Sequence, residues 1–183
     1  MPLLTRTGRP KRFFDRLAPW YDRINARIYD PRWKERILAG VRGRVLDVGV
    51  GTGFTTGNVE GAVGIDLSRE MLRRARYRGH LAQGDFLRHA FRSGSFDAIV
   101  FAGSFYYLGD PLRALRTAED LLRPNGAILI LSPATLVVAP FVPVYYPSDY
   151  GRLFRDARLT LDQYTRLSWA ACLVRGHKPG AEG

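Results

Sequence analysis

The chain has 183 residues, of which 46% are apolar and 25% charged, and this composition argues against disordered and fibrous proteins. Its charge balance is less ordinary, because 28 basic residues against 17 acidic ones give a net charge of +11. That balance favours anionic partners such as nucleic acid or an anionic membrane surface, while a simple bias toward arginine is the alternative. A single cysteine, Cys172, excludes an internal disulfide.

The sequence shows no targeting signal and no good membrane-spanning segment. The N-terminal residues lack the apolar stretch of a secretory signal. The longest candidate span, residues 127–146, is uncharged but is interrupted by prolines, which disfavours a continuous helix. We therefore expect a cytoplasmic protein with one domain over residues 1–176 and a flexible tail over 177–183.

The first forty residues predict two helices. Apolar residues recur every three or four positions between residues 12 and 29, which predicts an amphipathic helix with a break near Pro19. Asp30 and Pro31 are typical of a helix start, and Gly40 ends this second helix. The apolar positions of the first helix are Phe13, Leu17, Trp20, Ile24 and Ile28.

From residue 44 onward, short apolar runs alternate with helical stretches. Ser68 and Asp110 mark the starts of two helices, Gly79 marks the end of the first, and residues 124–126 predict a turn after the second. The runs predicted as strands are 44–48, 62–65, 80–83, 96–102, 127–131 and 168–174. Such alternation is typical of βαβ units, so we predict an α/β fold with a mainly parallel sheet. Its functional site should lie at the carboxyl ends of the strands.

The sharpest motif is the glycine-rich segment after the first predicted strand. Asp47 is followed by Gly49, Gly51 and Gly53, and then by a predicted helix start. The spacing differs from the dinucleotide-binding G-x-G-x-x-G, and the Gly-Lys-Ser/Thr of a phosphate-binding loop is absent. Glycines let a ligand approach the backbone closely, and the Asp47 carboxylate suits a cationic group such as an ammonium.

Four further motifs follow the later strands in order. Asp66 lies 19 residues after Asp47, where nucleotide-binding folds place an acidic residue that accepts hydrogen bonds from ribose. Asp85 follows the third strand, Ser104 follows the fourth, and residues 121–127 precede the fifth. Together the five motifs, over residues 44–131, resemble those of the class I S-adenosylmethionine (SAM)-dependent methyltransferases.

That resemblance implies a Rossmann-like sheet of seven strands, with the last strand antiparallel and helices on both faces. It implies SAM as the cofactor and no metal. By position, the methionine part would be held by Asp47, Gly49, Gly51, Thr52 and Gly53, the ribose by Asp66, and the adenine by Leu67, Asp85 and Phe86, with Ser104 beside the sulfonium.

The two ends of the chain resemble the C-methyltransferases of ubiquinone and menaquinone biosynthesis. Residues 14–25, FDRLAPWYDRIN, are similar to the F-D-x-x-A-x-x-Y-D-x-x-N opening of that family. Residues 33–34 match its W-K pair, and residues 171–178 resemble its A-L-H-R-G-x-K ending, whereas residues 106–109 depart from its L-R-N run. The resemblance implies methyl transfer to a small lipophilic acceptor such as a prenylated quinone or quinol.

Three tyrosines are the candidates for a catalytic role. Tyr106 and Tyr107 follow the fourth strand, where the acceptor should lie, and core packing is the alternative for one of the two. Tyr21 with Asp22 would close over the cofactor, and the alternative is that Tyr21 only packs the front helix. In-line transfer from a sulfonium depends mainly on alignment, worth ~7–11 kcal/mol of the barrier, so no catalytic motif is required. We expect residues 1–40 to form a helical lid, 44–131 the SAM-binding half and 132–176 the acceptor half.

An uncharged segment, residues 134–146 (ATLVVAPFVPVYY), allows two interpretations. It is either a Pro-rich connection packed on the core, or an apolar wall for a lipophilic acceptor, a membrane or a second copy in a homodimer. With the positive charge, the second interpretation predicts peripheral contact with an anionic membrane.

The sequence also allows other functions. The basic charge would suit an RNA methyltransferase, but the fourth strand lacks the Asn/Asp-Pro-Pro-Tyr that follows it in enzymes acting on exocyclic amines. Other small molecules or a phospholipid are alternative acceptors. A non-catalytic SAM-binding subunit would carry the same glycine segment.

Overall fold

A computed structural model describes residues 9–20, 23 and 30–180, and a seven-stranded sheet lies at its centre. The strand order is β3-β2-β1-β4-β5-β7-β6, and β7 runs opposite to the other six strands. The strands are β1 (Val45–Val48), β2 (Val63–Asp66), β3 (His80–Gln83), β4 (Phe96–Ala102), β5 (Leu122–Pro133), β6 (Thr160–Arg166) and β7 (Ala171–His177). The predicted α/β fold with an antiparallel last strand is therefore confirmed.

Five α-helices accompany the sheet in the described residues. They are α1 (Arg9–Leu17), α2 (Pro31–Leu38), α3 (Arg69–Arg74), α4 (Pro111–Leu121) and α5 (Pro147–Asp156). The predicted helix starts are formed by side-chain caps: Asp30 accepts from the backbone N–H of Arg32, Ser68 from that of Met71, and Asp110 from that of Arg113. Each cap satisfies a backbone donor that the first helical turn leaves unpaired.

The core lies on both faces of the sheet. Successive residues of a strand point to opposite faces, so Ile99 and Phe101 of β4 pack with α4 and α5, whereas Ala98 and Val100 pack with Ile37 of α2. Burying each large side chain of this kind stabilises the fold by about 1.5–3 kcal/mol. Both faces are therefore covered, as a mainly parallel sheet requires.

Arg175 of β7 ties the N-terminal region to the sheet. Its guanidinium donates to the carbonyl oxygens of Arg36, of Ala39 at 3.1 Å and of Ile37 at 3.4 Å, at the end of α2. These carbonyls have no partner within the helix, and a cation there also interacts favourably with the helix dipole. One side chain thus fixes the end of α2 against the last strand.

The helix expected after the glycine segment does not form, and residues 51–61 make consecutive turns instead. The connection between α3 and β3 crosses this segment, where Arg76 N donates to Thr52 O at 3.0 Å and Arg78 N donates to Gly57 O at 2.9 Å. A Cβ on Gly53 would lie 2.8 Å from the Arg76 carbonyl oxygen, and one on Gly57 would collide with it. Glycine at these positions therefore leaves room for the crossing backbone of residues 75–79. Turns that hydrogen-bond to this backbone replace the expected helix.

The boundaries of two further predictions were wrong. The helix capped by Ser68 ends at Arg74 rather than at Gly79, because residues 75–79 make the crossing just described. The strand expected at 168–174 lies at Ala171–His177, because residues 167–170 turn back from β6. Strand β6 was not predicted, since this edge strand is mostly polar and exposed rather than apolar.

Smaller differences lie near the ends of elements. The turn predicted at 124–126 is a bulge within β5, where Asn125 has a φ of 62°. Part of the tail expected over 177–183 is paired, because His177 ends β7 and the Lys178 ammonium lies 3.0 Å from the Glu119 carboxylate. The first helix ends at Leu17, before Pro19, as the predicted break required, and the predicted positions Ile24 and Ile28 lie outside the described residues.

Candidate functional site

The loops after β1, β2 and β4 meet at the carboxyl edge of the sheet. Gly49 N donates to Ile65 O at 2.8 Å, Gly51 N donates to an Asp66 carboxylate oxygen at 2.8 Å, and the Ser104 hydroxyl donates to Val48 O. Gly49 has a φ of 70°, and a Cβ there would lie 2.5 Å from the Ser104 Cβ. The structure therefore brings four of the residues predicted from the sequence, Gly49, Gly51, Asp66 and Ser104, together at this edge.

Asp66 is held at the end of β2 by two backbone donors. Its Oδ1 accepts from Ser68 N at 2.8 Å and its Oδ2 accepts from Gly51 N at 2.8 Å. Burial raises the pKa of Asp66, the backbone N–H groups of Ser68, Gly51 and Leu67 oppose that rise, and the nearby Asp15 carboxylate adds to it. Because each carboxylate oxygen has two lone pairs, both retain capacity to accept from ribose hydroxyls.

Asp47 is buried and has one oxygen without a partner. Its Oδ2 accepts from the Thr56 hydroxyl at 2.6 Å, and that hydroxyl lies 3.0 Å from the Tyr77 hydroxyl. Oδ1 makes no hydrogen bond to any described residue. Burial raises the pKa of Asp47 to about 7, and the hydrogen bond from Thr56 opposes the rise. Burying a carboxylate oxygen without a partner costs free energy. A cationic group beside Oδ1, such as the ammonium of SAM, would remove that cost.

The residues expected at the adenine end have different surroundings. Leu67, which follows Asp66, is exposed at the carboxyl edge. Asp85 caps a short 3₁₀ helix, Phe86–Arg88, by accepting from Leu87 N at 2.9 Å. The Phe86 ring is buried against Phe101, with ring centroids 5.5 Å apart. The Phe86 ring therefore belongs to the core, and recognition of adenine by Asp85 and Phe86 stays a prediction.

Aromatic side chains border the site after β4. Tyr106 and Tyr107 lie in a 3₁₀ helix, Phe105–Tyr107, directly after Ser104, and their ring centroids are 4.5 Å apart. Tyr107 also meets Phe14 of α1 edge-on, with centroids 5.1 Å apart. The structure thus places both tyrosines at the expected edge, with a helix of the predicted lid packed on one of them.

The other side of α1 contacts the start of α3. The Ser68 hydroxyl donates to Asp15 Oδ1 at 2.5 Å, so α1 spans from the loop after β4 to the loop after β2. Tyr21 and Asp22, which the sequence suggested as closing residues, lie outside the described residues. The sequence motifs did not indicate roles for Asp15, Thr56 and Tyr77. Asp15 lies in residues 14–25, whose similarity to the family opening could have indicated it. No motif indicates Tyr77, because its contact with Thr56 joins residues that are 21 positions apart.

The apolar segment 134–146 divides into an exposed part and a packed part. Leu136 and Val137 lie in a 3₁₀ helix, Leu136–Val138, and are 64% and 72% exposed. Toward the other end, Val142 is buried and Tyr145 packs against Phe105, with ring centroids 5.8 Å apart. The buried residues fit the connection packed on the core, whereas the exposed ones leave the apolar wall as a prediction.

Comparisons with known proteins agree with this geometry. A family model described as a methyltransferase domain matches residues 46–130. The chain is 32% identical over 160 residues to a demethylmenaquinone methyltransferase of Tropheryma whipplei (strain Twist), an alignment that covers 76% of this chain and 66% of the relative. The chain thus spans just under two thirds of that relative's length.

Solved structures share the fold. A SAM-dependent methyltransferase of Thermotoga maritima, described as a possible histamine N-methyltransferase, matches with a TM-score of 0.76 at 18% identity, covering 92% of this chain and 99% of that one. The [4+2]-cyclase SpnF matches with a TM-score of 0.80 at 14% identity, covering 94% and 97%. Because one fold carries different reactions, these likenesses establish architecture, and the reaction must be argued from the site.

Proposed function

We propose that this protein, which contains a class I SAM-dependent methyltransferase domain, transfers a methyl group from SAM to a small lipophilic acceptor such as a prenylated quinol. The observation that carries the acceptor class is the apolar and aromatic boundary of the site after β4 and β5. The name of the Tropheryma relative supports a quinone-type acceptor.

The cofactor assignments follow from the carboxyl edge. We infer that the free Asp47 oxygen receives the ammonium of SAM and that Asp66 accepts from its ribose hydroxyls. Gly49 and Gly51, both with positive φ, let the ligand approach the backbone, and Thr52, Gly53, Leu67, Asp85 and Ser104 complete the proposed set. SAM supplies an electrophilic methyl group on a sulfonium. The chain's own part is to hold it in line with the acceptor and to keep water away.

The acceptor assignments follow from the aromatic boundary. Tyr106, Tyr107 and Phe14 form a run of rings beside Ser104, and a quinol ring would pack against such faces. Past β5, Leu136 and Phe141 extend the apolar surface outward, where an isoprenoid tail would lie. We therefore propose residues 44–131 as the SAM-binding half, 132–176 as the acceptor half and 1–40 as the lid.

The experiment is methyl transfer from labelled SAM in three parallel reactions. The acceptors are reduced demethylmenaquinone in detergent, a phospholipid extract and an RNA digest, and a Gly51→Arg variant is the control for SAM-dependent label. Label in the quinol fraction alone is expected. Label in RNA or in phospholipid alone would replace the proposed acceptor. Binding of SAM without label in any fraction would indicate a non-catalytic subunit.

Peripheral contact with an anionic membrane belongs to the same proposal, because a prenylated acceptor resides in the bilayer. A homodimer through the segment 134–146 is the alternative use of that surface. No helix among the described residues has the length and apolar composition to cross a bilayer. The contact proposed is therefore between a membrane surface and exposed side chains.

A further inference from the structure

The large apolar side chains that stay exposed are collected at one edge of the sheet. Nine such residues are exposed in the described part of the chain, and one of them, Leu81, lies on the edge strand β3. The other eight lie on α1, on the turn after it, or in loops at the carboxyl edge: Phe13, Trp20, Leu67, Leu136, Val137, Phe141, Tyr146 and Trp169. The mouth of the candidate site is thus the apolar side of the molecule.

The most exposed of these residues come from two segments that are joined. Trp169, 71% exposed, lies in the turn between β6 and β7, and Val137 lies in the loop after β5. Ala134 N donates to Ala170 O at 2.8 Å, and the Arg166 guanidinium donates to the carbonyl oxygens of both Ala134 and Trp169. We name Leu136, Val137, Phe141 and Trp169 the apolar rim. Hydrogen bonds hold its two segments together, so the position of the rim on the protein is fixed.

The charges around this edge are mainly basic toward solvent. Arg12 and Arg16 of α1, Arg69 at the start of α3, and Arg166 beside the rim are exposed. Among the acidic side chains at the same edge, Asp110 is exposed, and Asp15, Asp66, Asp85 and Asp149 are only partly exposed. Asp85, Asp110 and Asp149 accept from backbone N–H groups at helix starts, and Asp15 and Asp66 accept the hydrogen bonds described above.

Apolar projections with a basic surround fit an anionic bilayer better than a second copy of the chain. Two copies meeting by this edge would oppose their basic side chains and, with a net charge of +11 each, repel one another. Anionic headgroups instead attract arginine, while tryptophan and aliphatic side chains enter the interface. The same contact would leave the site open toward the lipid.

We propose that the apolar rim inserts into the surface of an anionic bilayer and docks the carboxyl edge of the sheet against it. The docking rests on the exposed side chains and the charge. Its use, delivery of a lipophilic acceptor directly from the bilayer, rests on the function proposed above. Trp169 and Val137 are the principal inserting residues, and Arg166 positions them by bonding both segments.

The test is flotation of the full chain with vesicles of phosphatidylcholine, with and without phosphatidylglycerol. Wild-type protein is expected to float with the anionic vesicles, and less so as salt rises, because charge attraction is screened. The Val137→Asp, Trp169→Asp variant should lose binding by about tenfold or more for each residue. Leu81→Asp is the matched control, an exposed apolar residue away from the rim, and should bind as the wild type does.

Thermal melting and SAM calorimetry establish that each variant is folded, and Val137→Ser, Trp169→Ser replaces the aspartate pair if that pair does not fold. Equal vesicle binding by the wild type and the rim variant, or equal loss in Leu81→Asp, would overturn the docking. So would sedimentation showing a dimer that the rim substitutions dissociate and no vesicle binding by the wild type.

The docking and the proposed acceptor fail in different ways. Loss of vesicle binding in the rim variant, together with no quinol methylation by any variant, supports the docking and removes the acceptor. Methylation of the quinol from vesicles at equal rates by the wild type and the rim variant removes delivery from the bilayer and keeps the acceptor. A tailless, water-soluble quinol should be methylated equally by both.

Discussion

The two halves of the carboxyl edge are built differently. On the side of β1 and β2, hydrogen bonds fix the backbone, as Gly51 to Asp66 and Ser104 to Val48 illustrate. On the side of β5 and β6, exposed aliphatic and aromatic side chains predominate. A polar cofactor needs donors and acceptors at set positions, whereas an apolar molecule needs only a surface of the right shape. Substitutions should therefore act steeply on the first side and gradually on the second.

The largest effect is expected from Asp66→Ala. It removes the acceptor proposed for the ribose hydroxyls and also frees Gly51 N, so SAM affinity should fall about a thousandfold, since a hydrogen bond to a charged group is worth ~1.5–3 kcal/mol. Calorimetry measures it. Asp97→Ala is the control, because Asp97 also accepts a backbone N–H, from Arg44, but lies at the start of β4. Unchanged SAM affinity in Asp66→Ala would contradict the cofactor assignment.

The pH dependence should follow Asp47. Its pKa in the folded chain is raised by burial to about 7, so the folded state holds a proton that the unfolded state releases near pH 4. Stability without SAM should therefore fall as pH rises from about 4 to about 7, by up to about 4 kcal/mol.

Asp47→Asn provides the comparison, since burial raises the pKa of Asp66 too and its titration remains in the variant. The variant should be more stable than the wild type at pH 8 without SAM, and it should bind SAM more weakly. Urea unfolding across pH, with calorimetry at pH 8, measures both. A pH profile identical to that of the wild type would show that Asp47 is not the titrating group.

A pair of glycine substitutions separates backbone strain from close packing. Gly49 and Gly61 have φ values of 70° and 69°, but an added Cβ would meet Ser104 at position 49 and open space at position 61. Gly61→Ala should cost about 1 kcal/mol of stability through backbone strain. Gly49→Ala should cost about 2–3 kcal/mol and weaken SAM binding as well, because crowding adds to the strain. Equal losses in urea unfolding would contradict the packing argument.

The smallest effect is expected on the apolar side. Phe141→Ser removes one exposed ring from the proposed acceptor surface, so KM for a prenylated quinol should rise about tenfold while SAM affinity stays unchanged. Initial rates and calorimetry measure the two quantities. A parallel loss of SAM affinity would show that the two sides of the edge are not separable.

Local chemistry explains which elements the sequence predicted well. The bounds of β3 and β4 match the apolar runs 80–83 and 96–102, and the caps at Asp30 and Asp110 depend on neighbours two or three residues away. Strand β6 was not predicted because exposed edge strands carry few apolar residues. Its place depends on pairing with β7, which is a property of the whole sheet.

The site was predicted in part for the same reason. The positions of Asp47, Asp66 and Ser104 follow from strand ends, which the motifs mark. The hydrogen bonds around Asp47 do not follow from the motifs. Thr56 bonds Asp47, but its hydroxyl meets that of Tyr77 only when residues 75–79 cross the glycine segment. The glycines there have two uses, for a proposed ligand and for a crossing backbone, and a spacing pattern alone does not distinguish them.

The Arg175 contact with the end of α2 has a consequence for the order of folding. The guanidinium and the carbonyl of Ala39 are 136 residues apart in sequence, so this contact closes a very long loop. During synthesis α2 emerges early, yet the side chain that bonds its end is in the last strand. We therefore expect α2 to dock against the sheet only after β7 has paired with β5, which leaves that face of the sheet uncovered on a nascent chain.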